Sequence, residues 1–138
     1  MEIKGIAHIA LTVSNFAAAR KFYGQLLPML GLKPVLDIEG YYYCVGGKTG
    51  LAIQTVADTP ADDRFDQARS GLHHFCFRMQ CREDVDQLHD FVQTIGAHIV
   101  HAPQQDDWAP GYYSLLFEDC EGIRIEANFV PGKGLLLD

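Results

Sequence analysis

The sequence predicts an α+β fold in which two tandem βαβββ modules form a curved mixed sheet around a cavity, with the helices on the outer face. Three observations predict it. Residues 5–13 (Gly-Ile-Ala-His-Ile-Ala-Leu-Thr-Val) and 71–79 (Gly-Leu-His-His-Phe-Cys-Phe-Arg-Met) are two versions of one phrase, with His8 and His74 at the same place in it. A repeat at fixed offset marks one supersecondary unit used twice. Each phrase is followed by a helical run that a glycine closes, and then by three strand-like runs. The 138 residues, 48% of them apolar, suffice for one domain over 1–138, with module 1 at about 1–57 and module 2 at about 70–130.

Taken in order, residues 5–13 alternate apolar and other residues as a strand buried on one face does. Ser14 or Asn15 can then cap a helix in which Phe16, Ala19, Phe22, Tyr23 and Leu26 recur at helical spacing, and Gly31 closes it. Strands are expected over 33–38, 41–45 and 51–56. In the second half the strand over 71–79 leads to a helix with the stripe Val85, Leu88, Phe91, Val92 and Ile95, ended by Gly96. Strands over 98–101, 112–118 and 123–129 complete it. The turn Gly46-Gly47-Lys48-Thr49-Gly50 answers to Asp119-Cys120-Glu121-Gly122, which sets Gln54 against Glu126. The offset is 66 from His8 to His74 and 72 from Gln54 to Glu126, so six extra residues are expected within 102–111, the loop that carries Trp108.

Strand parity turns this alignment into chemistry. Ile9, Leu11 and Val13 share one side of their strand while His8, Ala10 and Thr12 share the other. The same division sets His74, Cys76 and Arg78 opposite Phe75, Phe77 and Met79, and sets Arg124, Glu126 and Asn128 opposite Ile125, Ala127 and Phe129. Gln54 falls opposite Ile53 in the same way. The apolar sides must meet the helices, so every candidate ligand lies on the other face. Burying such groups without partners costs about 1–3 kcal/mol each, so that face should line a polar cavity. Two imidazoles and a carboxylate suit a divalent Zn, Ni, Fe, Mn or Co ion with an open coordination position. Glu126 could instead shuttle a proton beside the metal.

The duplicated pattern, the His-Ile-Ala-Leu-x-Val opening, Phe22-Tyr23 ahead of Leu30-Gly31-Leu32, and the Asp-x-Glu-Gly-x-x-x-Glu ending together resemble the vicinal oxygen chelate superfamily over essentially the whole chain. That superfamily includes glyoxalase I, extradiol dioxygenases and bleomycin-resistance proteins. The resemblance implies a metal held by His8, Gln54, His74 and Glu126, with Glu126 also catalytic, in a glyoxalase-like lyase or isomerase acting on a small substrate with vicinal oxygens. Gln54 stands where glyoxalase I usually has a carboxylate. Leu116 stands where extradiol dioxygenases carry a catalytic tyrosine. The alternative that the resemblance implies is a metal-free small-molecule binding protein of the bleomycin-resistance type. A homodimer is expected by the same resemblance.

Arg124, Tyr43, Tyr113 and Trp108 are the candidate substrate contacts. Each has a structural reading too: Arg124 pairing with Glu126, the tyrosines packing in strands, Trp108 anchoring its loop. His73, by its parity, is read as structural or surface, and Cys76 as a small buried hydrophobe. Net charge is −7, from 11 basic and 18 acidic residues with no basic stripe, which speaks against nucleic acid or an anionic membrane as partner. No leader-like segment or apolar run of membrane-spanning length is seen, so a cytoplasmic location is expected. Cys44, Cys76, Cys81 and Cys120 lack the spacing of a zinc knuckle or a disulfide framework. The tail over 130–138, with Leu135, Leu136 and Leu137, could dock on a partner subunit.

Overall fold

The computed structural model describes residues 1–61 and 63–132, and the chain divides between residues 64 and 65 into two compact units. Unit 1 runs β1 (Ile9–Thr12), α1 (Phe16–Met29), β2 (Lys33–Ile38), β3 (Tyr41–Gly46) and β4 (Thr49–Gln54). Its strands lie in the order β1-β4-β3-β2, with β1 parallel to β4 and the other pairs antiparallel. Asn15 rather than Ser14 caps α1, its side chain accepting from the Ala18 amide at 3.0 Å. At the other end Gly31 takes a φ of +80°, which lets the Leu32 amide reach back to the Leu27 carbonyl at 2.9 Å.

Helix α1 buries Ala19, Phe22, Tyr23, Leu26 and Leu27 against Leu11, Val13, Tyr42, Cys44, Leu51 and Ile53. Each large side chain so buried contributes about 1.5–3 kcal/mol. Arg20 ties the helix to the far side of the sheet. Its guanidinium lies 3.8 Å from the centre of the Tyr42 ring and pairs with Asp37 at 2.6 Å. That bond holds the Asp37 carboxyl below the usual carboxylate range and raises Arg20. Burial first, and Cys44 second, push Tyr42 up to about 12.

Unit 2 runs β5 (Phe75–Arg78), α2 (Arg82–Thr94), β6 (His98–Gln105), β7 (Tyr113–Glu118) and β8 (Arg124–Phe129). The order β5-β8-β7-β6 and the strand directions repeat those of unit 1. The fold is therefore α+β, two βαβββ modules, each a four-stranded mixed sheet with one helix. Helix α2 has no side-chain cap bond, but Glu83 and Asp84 in its first turn favour the positive end of its dipole. It buries Val85, Leu88 and Val92 over a core that includes Phe75, Leu115, Phe117, Ile125 and Ala127. Between β7 and β8 the buried Asp119 accepts from the amides of Glu121 and Ile123, both at 2.8 Å, and so fixes the turn from which β8 starts.

Three expectations need correction. The opening strands are four residues long instead of nine, because only Ile9–Thr12 pair with β4, from Leu51 onward, and only Phe75–Arg78 pair with β8, from Ile125 onward. Strand β6 is longer than expected and reaches Gln105. From Gly31 to Gly96 the offset is 65, whereas from Val45 to its counterpart Glu118 it is 73, so eight residues rather than six enter, in β6 and the connection over 106–112. The leucines proposed to dock at the tail lie outside the described residues. Among the described residues no helix is long and apolar enough to cross a membrane.

Candidate functional site

The parity expected of the strands holds. Leu11, Val13, Ile53, Phe75, Ile125 and Ala127 are buried on the helix side, while His8, Thr12, His74, Cys76 and Arg78 are exposed on the other. Gln54, Arg124, Glu126 and Asn128 are half-buried there. In each unit, then, one sheet face is closed by a helix and the other carries the polar side chains.

On the open face of unit 2 the residues form one hydrogen-bonded constellation. Glu126 lies two positions along β8 from Arg124, and β5 pairs with β8 so that Cys76 is its neighbour. That register brings His74 Nε2 to 3.0 Å from Glu126 Oε2. The other carboxylate oxygen, Oε1, accepts a short hydrogen bond from the Tyr112 hydroxyl, and Asn128 Nδ2 donates to that hydroxyl oxygen at 2.8 Å. His73 Nδ1 meets His74 Nδ1 at 2.7 Å with the two rings edge to face, so His73, read as structural or surface, braces the His74 ring. Desolvation first, and the Glu126 carboxylate second, raise the Cys76 thiol; the same two causes raise the Tyr112 hydroxyl, with Asn128 opposing. Cys76 is exposed on this face, not buried as a small hydrophobe, and none of the four cysteines is joined in a disulfide.

The structure separates the other candidates. Tyr113 is not on this face: it lies under Arg82 of α2, 4.1 Å from ring centre to guanidinium, and its hydroxyl donates to Asp86 of α2 at 2.6 Å. Tyr112, two residues before Ser114 on the same side, takes the place expected for it. Counting parity back from Glu118 through Leu116 and Ser114 would have found Tyr112 from sequence. Arg124 pairs with Glu118 at 3.2 Å, an oxygen that Gln67 also reaches, and not with Glu126. Trp108 is 78% exposed and does not anchor its loop, whose buried residue is Ala109.

Unit 1 arranges its open face differently. Tyr43 lies over Gly50, so close that a Cβ there would meet its hydroxyl at 2.5 Å, and its ring stands edge to face with His8 at 6.3 Å. The register is the larger difference. Ile9 pairs with Leu51 as Phe75 pairs with Ile125, so the counterpart of Glu126 is Ala52, and Gln54 corresponds to Asn128. Gln54 pairs with Thr12, four residues beyond His8 or about 13 Å along a strand. The alignment of Gln54 with Glu126 is thus displaced by two residues. Among the described residues no group of three or more His, Cys, Asp or Glu side chains is gathered to hold a metal ion; His74 and Glu126 form a pair.

Residues 5–127 match the model of the glyoxalase/bleomycin resistance protein/dioxygenase superfamily. The chain belongs to that superfamily. This superfamily member is similar to uncharacterized protein YqjT of Bacillus subtilis (strain 168), with 25% identity over 120 residues that span 86% of this chain and 94% of that one. Its fold is that of a glyoxalase/bleomycin resistance protein from Albidiferax ferrireducens T118, with a TM-score of 0.74 and 24% identity over 90% of this chain and 98% of the other. It is also that of the lactoylglutathione lyase from Agrobacterium tumefaciens, with a TM-score of 0.69 and 22% identity over 94% and 96% of the two chains.

Proposed function

We propose that this superfamily member is a metal-dependent, glyoxalase-like lyase or isomerase acting on a small substrate with vicinal oxygens. The observation that carries the reading is the pair of His74 Nε2 and Glu126 Oε2, 3.0 Å apart on an open sheet face. An imidazole nitrogen beside a carboxylate oxygen is the donor set that divalent Zn, Ni, Fe, Mn or Co takes. In this reading His8, from this chain or from a second copy of it, is the third donor, and Gln54 is a fourth ligand or orients water. Such an ion would polarise the vicinal oxygens of a bound substrate.

The chain's own groups account for the rest of the proposed chemistry. Glu126 is the carboxylate placed to accept and return a proton on this face. His73 can accept or donate at His74 Nδ1, so the His74 ring keeps its orientation in either tautomer. Tyr43 beside His8, with exposed Trp108, supplies the aromatic surface for substrate, and Arg124 with Glu118 supplies a polar margin. A homodimer belongs to the same reading, and sedimentation equilibrium reads it directly.

Metal content by plasma mass spectrometry is the test. Near-stoichiometric metal in the wild type, lost in His74→Ala, Glu126→Gln and His8→Ala, is the expected result and would direct assays to dicarbonyl, epimerase and thiol-transfer substrates. No metal after reconstitution with Ni, Zn, Fe and Mn refutes it. One observation favours a second reading, a metal-free binding protein of the bleomycin-resistance type: both oxygens of Glu126 already have partners, so the carboxylate is satisfied without a cation. Tight ligand binding that survives EDTA would support that class.

A further inference from the structure

We infer that Tyr112 is a positioning residue that fixes Glu126 as a one-oxygen donor, with Asn128 setting the direction of the Tyr112 hydroxyl. The inference deepens the metal reading above and rests on it. A phenol has a single proton to donate. Asn128 Nδ2 donates to the Tyr112 oxygen at 2.8 Å, so that oxygen acts as acceptor there and its proton goes to Glu126 Oε1. With Oε1 engaged, Oε2 is the oxygen turned to His74 Nε2. A bidentate carboxylate would have to turn both oxygens to the ion.

The backbone around Tyr112 is built for this placement. The Tyr112 amide donates to the Ala109 carbonyl and its own carbonyl accepts from the Asp106 amide, each at 3.0 Å. Asp106 is held in turn by Gln104 at 2.9 Å and by the Ser114 hydroxyl at 2.7 Å. Asp106, Ala109 and Tyr112 belong to the connection between β6 and β7, the segment that unit 1 lacks, since Ile38 pairs with Tyr41 across only Glu39 and Gly40. Unit 1 also has Ala52 where unit 2 has Glu126. The inserted loop and the carboxylate it steadies therefore occur together in one unit and are absent together from the other.

The test is cobalt(II) titration of the full chain, read by the visible ligand-field spectrum, with Tyr112→Phe, Asn128→Ala and Tyr113→Phe alongside. Tyr112→Phe should bind cobalt about 10–100-fold more weakly, the usual effect of removing such a partner. Its bands should also weaken, because a freed Oε1 raises the coordination number. Asn128→Ala should shift both in the same direction by less, and Tyr113→Phe, on the helix side, should leave both unchanged. If the wild type binds cobalt and Tyr112→Phe and Asn128→Ala match it in affinity and spectrum, this inference falls while the metal reading stands. If the wild type binds no cobalt, both fall.

Discussion

Replacing Asp119 by alanine tests the account of how β8, and with it Glu126, is placed. Asp119 is 3% exposed, and one carboxylate oxygen accepts both the Glu121 and Ile123 amides at 2.8 Å. Those two residues are buried as well, at 6% and 3% exposure, so water does not readily replace the lost acceptor. A buried donor left without a partner costs about 1–3 kcal/mol, which gives about 2–6 kcal/mol for the pair. At a typical urea m-value of about 2 kcal/mol per molar, the unfolding midpoint should drop by about 1–3 M. Asp119→Asn keeps an acceptor oxygen in the same place and should lose less than half as much. Urea unfolding followed by circular dichroism measures the loss, and amide exchange at Glu121 and Ile123 shows whether these two donors carry it. An alanine variant within about 0.5 kcal/mol of wild type, or asparagine and alanine variants that behave alike, would refute the reasoning.

Two further outcomes follow from the same contacts. Tyr42 has its folded-state pKa pushed from 10.0 up to about 12 by burial, so the stability it contributes is whole below pH 10 and is lost as pH rises from there to about 12. The loss amounts to roughly 2–3 kcal/mol; thermal melts at pH 9, 10.5 and 12 should show it and Tyr42→Phe should flatten it, whereas equal slopes would discount burial as the cause. Tyr113→Phe should remove its bond to Asp86 at a cost of about 0.5–1.5 kcal/mol while leaving metal and ligand binding on the open face untouched, as titration calorimetry would show.

Much of the site was legible in the sequence because a strand buried on one face carries a period of two. His8, His74, Glu126 and Arg124 could be assigned to the open face from Leu11, Phe75 and Ile125 alone, since the apolar side has to meet a helix. Tyr112 was legible by the same count and was displaced by its neighbour Tyr113, because two adjacent tyrosines satisfy strand propensity equally and only the count back from Glu118, which the pairing of Ser114 with Asn128 bears out, separates their faces. His73 was not legible. Its contact with His74 joins adjacent residues ahead of β5, outside any regular element, and periodicity describes regular elements alone.

The sequence by itself determined the duplicated βαβββ order, the two helices and their glycine ends, and the face on which each candidate ligand stands. Local signals carry all of these: apolar spacing, turn residues and the repeated phrase. The tertiary structure decided the register. Sliding β4 along β1 by two residues keeps Leu51 and Ile53 on the buried side and leaves every parity argument intact, so nothing in the pattern distinguishes Gln54 from Ala52 as the counterpart of Glu126. Only the pairing of Ile9 with Leu51, fixed by how far the β3–β4 hairpin reaches along the sheet, makes that choice.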